Sequence, residues 1–468
     1  MFVHRAPAVN RSGVTASSRK FPASLGIPHA LTAATVRPLL REGALLILVA
    51  LAAVLVLRGP SVGQPFSVDE SRWIATSRYF WITFVEGDLF GPAWQPNYLV
   101  YTHPPVARYA IGFGLWLQGW QPDQLNGRYD SLQSRAFNER AGNVPGPDLL
   151  LAARRVTFVF AVASVVLVYG VGRILGGQVA GLAAAALALV NPLLTTVWTR
   201  ALAESIVAAF GLLALALALR VMPKVGTPGT RGWLPLAIGA ALALAAATKL
   251  NGALGALGLG LVTAVQQGQA LLRSRRTLGL RSWVDVGLSG VVVFVAVNPL
   301  LYVAPADRVV GLIQHRQDEM EFQRSVFTSQ AVPDDLGSRV ARVARRTFDT
   351  YATPKGPLPL SADAVLVPAG LAVLAWRTLA ELRRGLAGPA FLFLCWLAAS
   401  YAVVTPNLGF DSSHYFAPLV TLNVVTAGVA VAVVGRAVVR LVTRLRARGS
   451  GGPEPVSAPD QNVQAPVT

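Results

Sequence analysis

Cysteine and charged residues are scarce in this chain of 468 residues. Its single cysteine, Cys395, lies in the apolar stretch "FLFLCWLAA", which excludes an internal disulfide and argues against a cysteine-based metal site. Charged residues make up 14% of the chain and hydrophobic residues 53%, whereas charged residues account for about 25% of a typical soluble domain. The composition therefore predicts an all-α polytopic membrane protein.

Acidic residues are outnumbered, with 23 Asp and Glu against 41 Lys and Arg and a formal net charge of +18. A basic excess can indicate nucleic-acid binding. Here, however, the basic residues fall in short clusters between apolar runs, as in the cytoplasmic loops of membrane proteins. A glycine-rich loop for nucleotide phosphates is also missing, because "GALGLG" lies within an apolar run. We therefore expect no nucleic-acid partner and favour a lipid-linked donor over a nucleotide-linked one.

About ten apolar runs are long enough, or nearly so, to cross a hydrocarbon core about 30 Å thick. They cover approximately residues 41–58, 152–172, 178–197, 201–220, 232–247, 250–268, 284–303, 362–377, 387–404 and 415–436. The stretch from 232 to 268 can be one overlong helix or a hairpin that turns at "TKLNG". Only the hairpin, with a cytoplasmic N-terminus, leaves all the later arginine clusters inside. It also places Lys249 at an outer turn.

This topology predicts a plasma-membrane protein with both termini cytoplasmic. Residues 1–40 form a basic, flexible segment, residues 41–436 the transmembrane domain, and residues 437–468 a basic and then disordered tail. The first apolar run begins too late for an ordinary cleaved signal peptide, so we take it as a retained helix. Two large segments, about 59–150 and 304–361, lie outside. The first contains "PPVARYAIGFGLWLQGW", whose Trp-rich ends favour a helix in the membrane interface.

Polar residues collect where the apolar runs meet the outer face. They are Asp69 and Glu70 of "VDE", His103 and Arg108 of "THPPVARY", Arg200 and Glu204 of "TRALAE", Lys249 of "TKLNG", Tyr302 of "NPLLY", and His414 and Tyr415 of "DSSHY". Each has an ordinary structural interpretation as well. The two carboxylates can be solvated loop acids, Arg200 and Glu204 an i,i+4 ion pair, and Lys249 a snorkelling cation. Together they indicate one polar site at the outer interface.

These motifs resemble those of the lipid-linked-sugar glycosyltransferases of the GT-C class, over about residues 40–420. The nearest pattern is that of the protein O-mannosyltransferases and their bacterial aminoarabinose-transferase-like relatives, which share the Asp-Glu pair and a His-Pro-Pro motif. Two positions depart from it. Arg108 stands where the mannosyltransferase motif has Lys, and His414 where many relatives have Arg before Tyr. The resemblance implies a GT-C-like bundle whose large first outer loop carries interfacial helices.

The resemblance also implies a reaction. A polyprenyl-phosphate sugar would be the donor, and a hydroxyl of a glycan, lipid or secreted protein the acceptor. Asp69 is the candidate general base, with Glu70 beside it at the catalytic centre. The cations Lys249, Arg108 and Arg200, together with His414, would bind the donor phosphate. Substrate-binding or orienting roles would fall to His103, Glu204, Tyr302 and Tyr415.

A direct displacement with one base would invert the anomeric carbon. No cofactor is indicated, although Asp69, Glu70 and His103 leave a divalent metal open without forming a spaced ligand motif.

Two other classes of protein remain open. A transporter or lipid-linked-sugar flippase would carry charged or helix-breaking residues near mid-bilayer in paired halves. A noncatalytic scaffold would tolerate removal of any single carboxylate. The concentration of polar residues at one face and the unequal outer segments favour a surface enzyme.

Overall fold

The computed structural model describes residues 33–221, 232–272, 280–353, 361–384 and 387–449. The described residues from Leu46 onwards group into one compact unit, and the site lies within it. Of the predicted flexible segment 1–40, residues 1–32 lie outside the described residues, whereas residues 33–40 are helical. Of the predicted tail 437–468, residues 450–468 lie outside the described residues and residues 437–449 are helical. The described ranges contain no β-strand, only an isolated antiparallel bridge between Ala331 and Phe410.

The α-helices are numbered in chain order. They are α1 Ala33–Gly63, α2 Val68–Thr76, α3 Tyr98–Thr102, α4 Pro105–Leu117, α5 Arg135–Arg140, α6 Pro147–Gly176, α7 Gln178–Val190, α8 Pro192–Thr199, α9 Glu204–Val221, α10 Leu234–Thr248, α11 Leu254–Leu272, α12 Leu280–Ala296, α13 Pro305–Val326, α14 Leu336–Arg345, α15 Ala362–Arg383, α16 Pro389–Val404 and α17 Ala417–Gly449. The predicted all-α class is confirmed, and each of the ten apolar runs is helical.

By length and composition, five of the described helices can cross a membrane: α1 from Leu40, α6, α9, α15 and α17 as far as Arg446. A sixth span results if α7 and α8 are counted together, although they meet at a bend of 71°. Pro192 causes this bend, since proline lacks the N–H of a continuous helix and clashes with the preceding turn. Asn191 caps the new helix by accepting hydrogen bonds from the amides of Leu193 and Leu194. The shorter helices α10 and α16 are also apolar.

The turn at "TKLNG" separates two helices. Helix α10 ends at Thr248, a short 3-10 turn covers Leu250–Ala253, and α11 begins at Leu254. The single overlong helix is therefore wrong, and the reversal of chain direction at this turn stays a prediction. Lys249 stands at this turn in extended backbone conformation.

The first outer segment folds around an aromatic core that it shares with buried residues of α6, α9 and α13. Helices α2 to α5 pack with two 3-10 turns and a π-helical turn, and the buried side chains include Trp73, Trp94 and Ile111. The predicted interfacial helix is α4, which leaves Phe113 and Trp116 exposed on one side. This core holds α2 rigidly beside the ends of the long apolar helices.

The second outer segment consists mainly of α13 and α14. It is fastened to the loop between α16 and α17 by the Ala331–Phe410 bridge and by two arginines on one carboxylate. Arg342 and Arg346 each approach the buried Asp411 to 2.6 Å. The loop that precedes α17 is therefore fixed against this segment.

Candidate functional site

The opening turn of α2 carries both predicted carboxylates. Ser67 precedes the helix, and its backbone N–H donates to the carboxylate of Glu70 at 2.9 Å. This is half of a capping box, which satisfies an amide that the helix itself leaves free. Asp69 and Glu70 lie in the first turn, where the helix dipole favours negative charge. Adjacent positions on a helix face different directions, so the two carboxylates have different surroundings.

Glu70 is completely buried and its carboxylate is fully engaged. Arg154 of α6 binds it in bidentate fashion, with Nε–Oε1 2.7 Å and Nη2–Oε2 2.8 Å. The backbone N–H of Ala201 also donates to Oε1 at 2.9 Å. Because every favourable acceptor position is occupied, we revise the predicted catalytic role of Glu70. It is a positioning residue that holds α2 against α6 and the turn after α8.

Arg154 was missed by the sequence analysis. Its side chain is 3% exposed and also donates to the carbonyl oxygens of Ser61, Gln64 and Pro65. Arg154 lies only three residues into the apolar run 152–172, so it resembled an ordinary flanking charge. A charged residue inside such a run usually has a buried partner, and that was the available signal.

Asp69 is half-buried, and its carboxylate has no hydrogen bond or ion pair with any residue in the described part of the chain. Burial raises the pKa of Asp69, and the negative charge of Glu204 raises it further. The cations Arg72, Lys249 and Arg200 act in the opposite direction and lower it. The site therefore contains a carboxylate whose lone pairs are available and whose basicity exceeds that of an ordinary aspartate.

Lys249 pairs with Glu204, with Nζ–Oε1 2.7 Å. The alternative interpretation of Arg200 and Glu204 as an i,i+4 helical ion pair does not hold, because α8 ends at Thr199 and Glu204 begins α9, so no helix carries both residues. Arg200 instead lies near Asp69 and Glu70, whose charges act on its pKa. Glu204 thus holds the Lys249 ammonium in place.

Two histidines border the same region. His103 packs edge-on against Trp73 at 4.8 Å, and His414 lies 3.0 Å from Ser412 through Nδ1. Burial lowers the pKa of each histidine well below its ordinary value, and the nearby charges of Lys249 and Arg316 lower it further. Both rings are therefore neutral at pH 7, and each acts as a hydrogen-bonding group without a charge.

A pocket opens beside Lys249, and the space within it and at its open mouth, including solvent, is about 640 Å³. Its polar end is formed by Glu204, Lys249, Asn251 and His414. The rest of the wall is largely apolar and comes from α9, α11, α16 and α17. These wall residues include Val207, Gly211, Leu212, Leu215, Leu254, Gly255, Trp396 and Leu422. The pocket therefore suits an amphiphile with an anionic head and a long apolar tail.

Arg108 and Tyr302 lie away from this pocket. Arg108 is 0% exposed, donates to the carbonyl oxygen of Leu99 and stacks 4.6 Å from the centre of the Tyr79 ring. Burial lowers its pKa to about 10. Tyr302 donates to the carbonyl oxygen of Ala296 at 2.5 Å. Both side chains thus have local partners, although Nε and Nη1 of Arg108 are buried without one among the described residues. The phosphate contact of Arg108 and the substrate contact of Tyr302 stay predictions.

Tyr415 lies next to a cation that the sequence analysis did not identify. Arg316 of α13 donates from Nη2 to the Tyr415 hydroxyl at 2.7 Å. Lys249 Nζ and Arg316 Cζ each lie 5.6 Å from the centre of the Tyr415 ring. Arg316, which is also paired with Glu319, thus shares the Tyr415 ring with Lys249.

Nothing in the described ranges amounts to a metal centre, since no group of three or more His, Cys, Asp or Glu side chains is placed to hold an ion. Glu70, one of the three residues considered for a metal, is committed to Arg154. Asp69 and His103 remain at the site as separate groups.

Comparison with known proteins supports the motif-based resemblance. Residues 94–308 match the family model of dolichyl-phosphate-mannose-protein mannosyltransferase. The crystal structure of the Archaeoglobus fulgidus oligosaccharyltransferase in complex with Zn and sulfate matches with 15% identity and a TM-score of 0.51, covering 86% of this chain and 51% of that one. The apo structure of ArnT from Cupriavidus metallidurans matches with 19% identity and a TM-score of 0.49, covering 88% of this chain and 66% of that one.

A search among curated proteins found no match. The chain spans about half the length of the archaeal oligosaccharyltransferase. At an identity of 15%, the structural similarity establishes only that the fold is shared. The segment that matches the family model contains His103, Arg200, Glu204 and Lys249. The resemblance predicted from the motifs is thereby confirmed: the chain is a membrane protein with the GT-C fold and carries the mannosyltransferase sequence pattern over residues 94–308.

Proposed function

We propose that the chain is a membrane glycosyltransferase that moves a sugar from a polyprenyl-phosphate donor to an acceptor hydroxyl. One observation carries this proposal: Lys249 lies at the polar end of an apolar pocket, and Asp69, a carboxylate without a protein partner, lies close enough for the Lys249 charge to affect its pKa. A cation for the phosphate and a base for the acceptor are thus adjacent. Transfer from a lipid phosphate requires both.

The pocket fits the donor in polarity and length. From Glu204 to Leu215, α9 lines it over about 16 Å, taking 1.5 Å per residue. The first isoprene units would lie against this wall and against Trp396. The phosphate would meet the ammonium of Lys249, with the neutral His414 as a further hydrogen-bonding group. The sugar would then extend towards Asp69 and His103.

The reaction follows from these positions. Asp69 accepts the proton of the acceptor hydroxyl while the hydroxyl oxygen forms a bond to the anomeric carbon. The bond between that carbon and the phosphate oxygen breaks, and its electron pair leaves with the phosphate. Lys249 stabilises the negative charge that develops there. A single displacement inverts the anomeric carbon.

The relatives support the donor class and leave the acceptor open. The matching family model describes a transferase that uses dolichyl-phosphate-mannose. An archaeal oligosaccharyltransferase structure with a similar fold carries a tethered acceptor peptide. For this chain we propose a polyprenyl-phosphate pentose or hexose as donor. The acceptor would be a glycan, lipid or secreted protein, reached on the outer face of the plasma membrane.

The experiment is a donor panel. The purified chain in lipid nanodiscs is incubated with polyprenyl-phosphate sugars and a cell-envelope extract as the source of acceptors, and the released polyprenyl phosphate is quantified. We expect release from at least one donor, dependent on the extract. If every donor of the panel stays intact while a known transferase consumes its own donor in the same assay, the proposed activity is rejected.

A further inference from the structure

We propose that an anionic phospholipid binds at the C-terminal end of α6, on the membrane surface opposite the candidate functional site. Its phosphate lies against Arg377 of α15 and Arg436 of α17. This second site is independent of the proposed function, because it involves other residues at the other end of the long helices. Its depth, its geometry, its charge and its apolar surroundings each support a lipid as the ligand.

The depth of the two arginines matches the second membrane surface. Pro418 of α17 lines the pocket beside Lys249, and Arg436 lies about 27 Å further along the same helix at 1.5 Å per residue. This distance is close to the hydrocarbon thickness of about 30 Å. Trp376, directly before Arg377, is exposed, and tryptophan is enriched at the level of the lipid headgroups. The arginines thus lie at headgroup level, on the face predicted to be cytoplasmic.

The last turn of α6 fixes the two arginines side by side. Arg377 donates through Nη1 to the carbonyl oxygen of Leu175, and Arg436 donates through Nη1 to that of Gly176 at 3.1 Å. These carbonyl groups are among those that the end of a helix leaves without partners in the helix. Because they belong to consecutive residues, the two guanidinium groups are neighbours. A guanidinium has five N–H donors, so each keeps donors for a phosphate oxygen.

The positive charge of this region has no protein counterpart. No carboxylate in the described part of the chain pairs with Arg377 or Arg436, since the ion pairs found there involve other cations. Arg440 and Arg444 continue the face of Arg436 at i,i+4 spacing and are exposed, and like charges at this spacing repel each other. An anionic headgroup would remove this repulsion.

Apolar side chains beside the arginines favour a lipid over a free anion. Val439 follows Arg436 at i,i+3 spacing, on the same face of α17, and its side chain is exposed. Trp376 is exposed beside Arg377 on α15. A phosphate held by the two guanidinium groups would therefore have apolar surface next to it for the acyl chains. A free phosphate would leave this surface uncovered.

The test counts the lipids that the full-length protein retains in detergent, by native mass spectrometry. The protein is titrated with phosphatidylglycerol, which is anionic, or with phosphatidylcholine of the same acyl chains, which has no net charge. The wild type should bind phosphatidylglycerol more tightly. Arg377→Gln and Arg436→Gln should each weaken phosphatidylglycerol binding by about fivefold, the effect of one basic residue near an anionic lipid. Binding of phosphatidylcholine should stay unchanged.

Arg220→Gln is the matched control for net charge. Arg220 lies in the last turn of α9, at the same predicted face, and is exposed. This variant removes an equal charge away from α6 and should change neither affinity. The positive-inside rule alone explains arginines at this face, and it predicts that Arg220→Gln weakens phosphatidylglycerol binding as much as Arg436→Gln does. That result, or equal binding of the two lipids by the wild type, overturns the inference.

Two further variants separate lipid binding from a structural role, because Arg377→Gln and Arg436→Gln also remove a cap from α6. Arg440→Gln removes a charge that makes no hydrogen bond with α6 among the described residues. It should weaken phosphatidylglycerol binding and leave the unfolding midpoint in lipid-free detergent unchanged. Arg436→Lys keeps the charge and should bind phosphatidylglycerol more tightly than Arg436→Gln. If lipid affinity falls only where the midpoint falls, and Arg440→Gln binds like the wild type, the arginines serve the fold and the lipid site is rejected.

Discussion

At the scale of single residues, burial gives two adjacent carboxylates opposite tasks. Glu70 is enclosed by Arg154 and backbone amides, so both of its carboxylate oxygens are occupied by hydrogen bonds. Asp69 is enclosed without such partners and keeps both oxygens available. The difference arises from neighbours on other helices and not from the side chains themselves.

Substitution of Asp69 tests its role as base. Asp69→Asn keeps the size of the side chain and removes its ability to accept a proton, so turnover should fall by roughly 10²- to 10⁴-fold, the usual contribution of a general base. Donor affinity should change much less, since Lys249 holds the phosphate. Asp123→Asn in the same outer segment is the control and should keep normal turnover. Single-turnover transfer and donor binding are measured side by side.

The pH profile tests the surroundings of Asp69. The base works only when deprotonated, so activity should rise with pH through the Asp69 pKa. Because burial raises this pKa, the acidic limb of kcat/KM should lie above the ordinary aspartate value of about 3.9. Arg72 lowers the pKa, so Arg72→Met should move the limb to higher pH. Arg78→Met should leave it in place, since Arg78 binds the carbonyl oxygens of Ala75 and Asn126.

At the scale of helices, the Glu70–Arg154 pair locks α2 to α6. Removal of one partner from a buried ion pair typically costs about 3–5 kcal/mol, because the other charge stays buried alone. Arg154→Met should therefore lower the unfolding midpoint strongly, and Arg155→Met, one exposed residue further on, should barely change it. The double variant Glu70→Met/Arg154→Met should be more stable than Arg154→Met alone. A double variant less stable than either single one would contradict a paired role.

The helices themselves were predictable and their contacts were not. Runs of apolar residues identify helices, because the backbone N–H and C=O groups of a segment that crosses the membrane must form their hydrogen bonds within the segment. All ten runs are helical. Arg154 and Glu70 are 84 residues apart, and no local pattern links them. The bend before Pro192 was readable, since "NP" within an apolar run marks a break. Arg316 lies in a polar helix without a motif, so only the folded arrangement reveals it.

At the scale of the whole molecule, the topology is a prediction that labelling can test. Cys395 is buried and is the single cysteine of the chain, so Cys395→Ser provides a background without reactive thiols. In that background Gln314→Cys on α13 should react with a membrane-impermeant maleimide added to intact cells. Arg444→Cys near the end of α17 should react only after the membrane is opened. The reverse pattern would place the candidate site on the cytoplasmic face.

The predicted position of the site at one face of the membrane also distinguishes sugar transfer from transport. An enzyme that works at one face separates the sugar from its lipid phosphate, whereas a flippase moves the donor intact between leaflets. Proteoliposomes that contain the chain, a polyprenyl-phosphate donor with a labelled sugar, and an envelope extract outside the vesicles can follow both events at once. A vesicle preparation of the Asp69→Asn variant controls for leakage.

Sugar transfer in these proteoliposomes is the most direct test of the central claim. We predict that the label moves to an acceptor of the extract with one polyprenyl phosphate released per sugar, and that Asp69→Asn abolishes nearly all of this release while still binding the donor. Labelled donor that crosses the bilayer intact, with no polyprenyl phosphate released by the wild type, would contradict the claim.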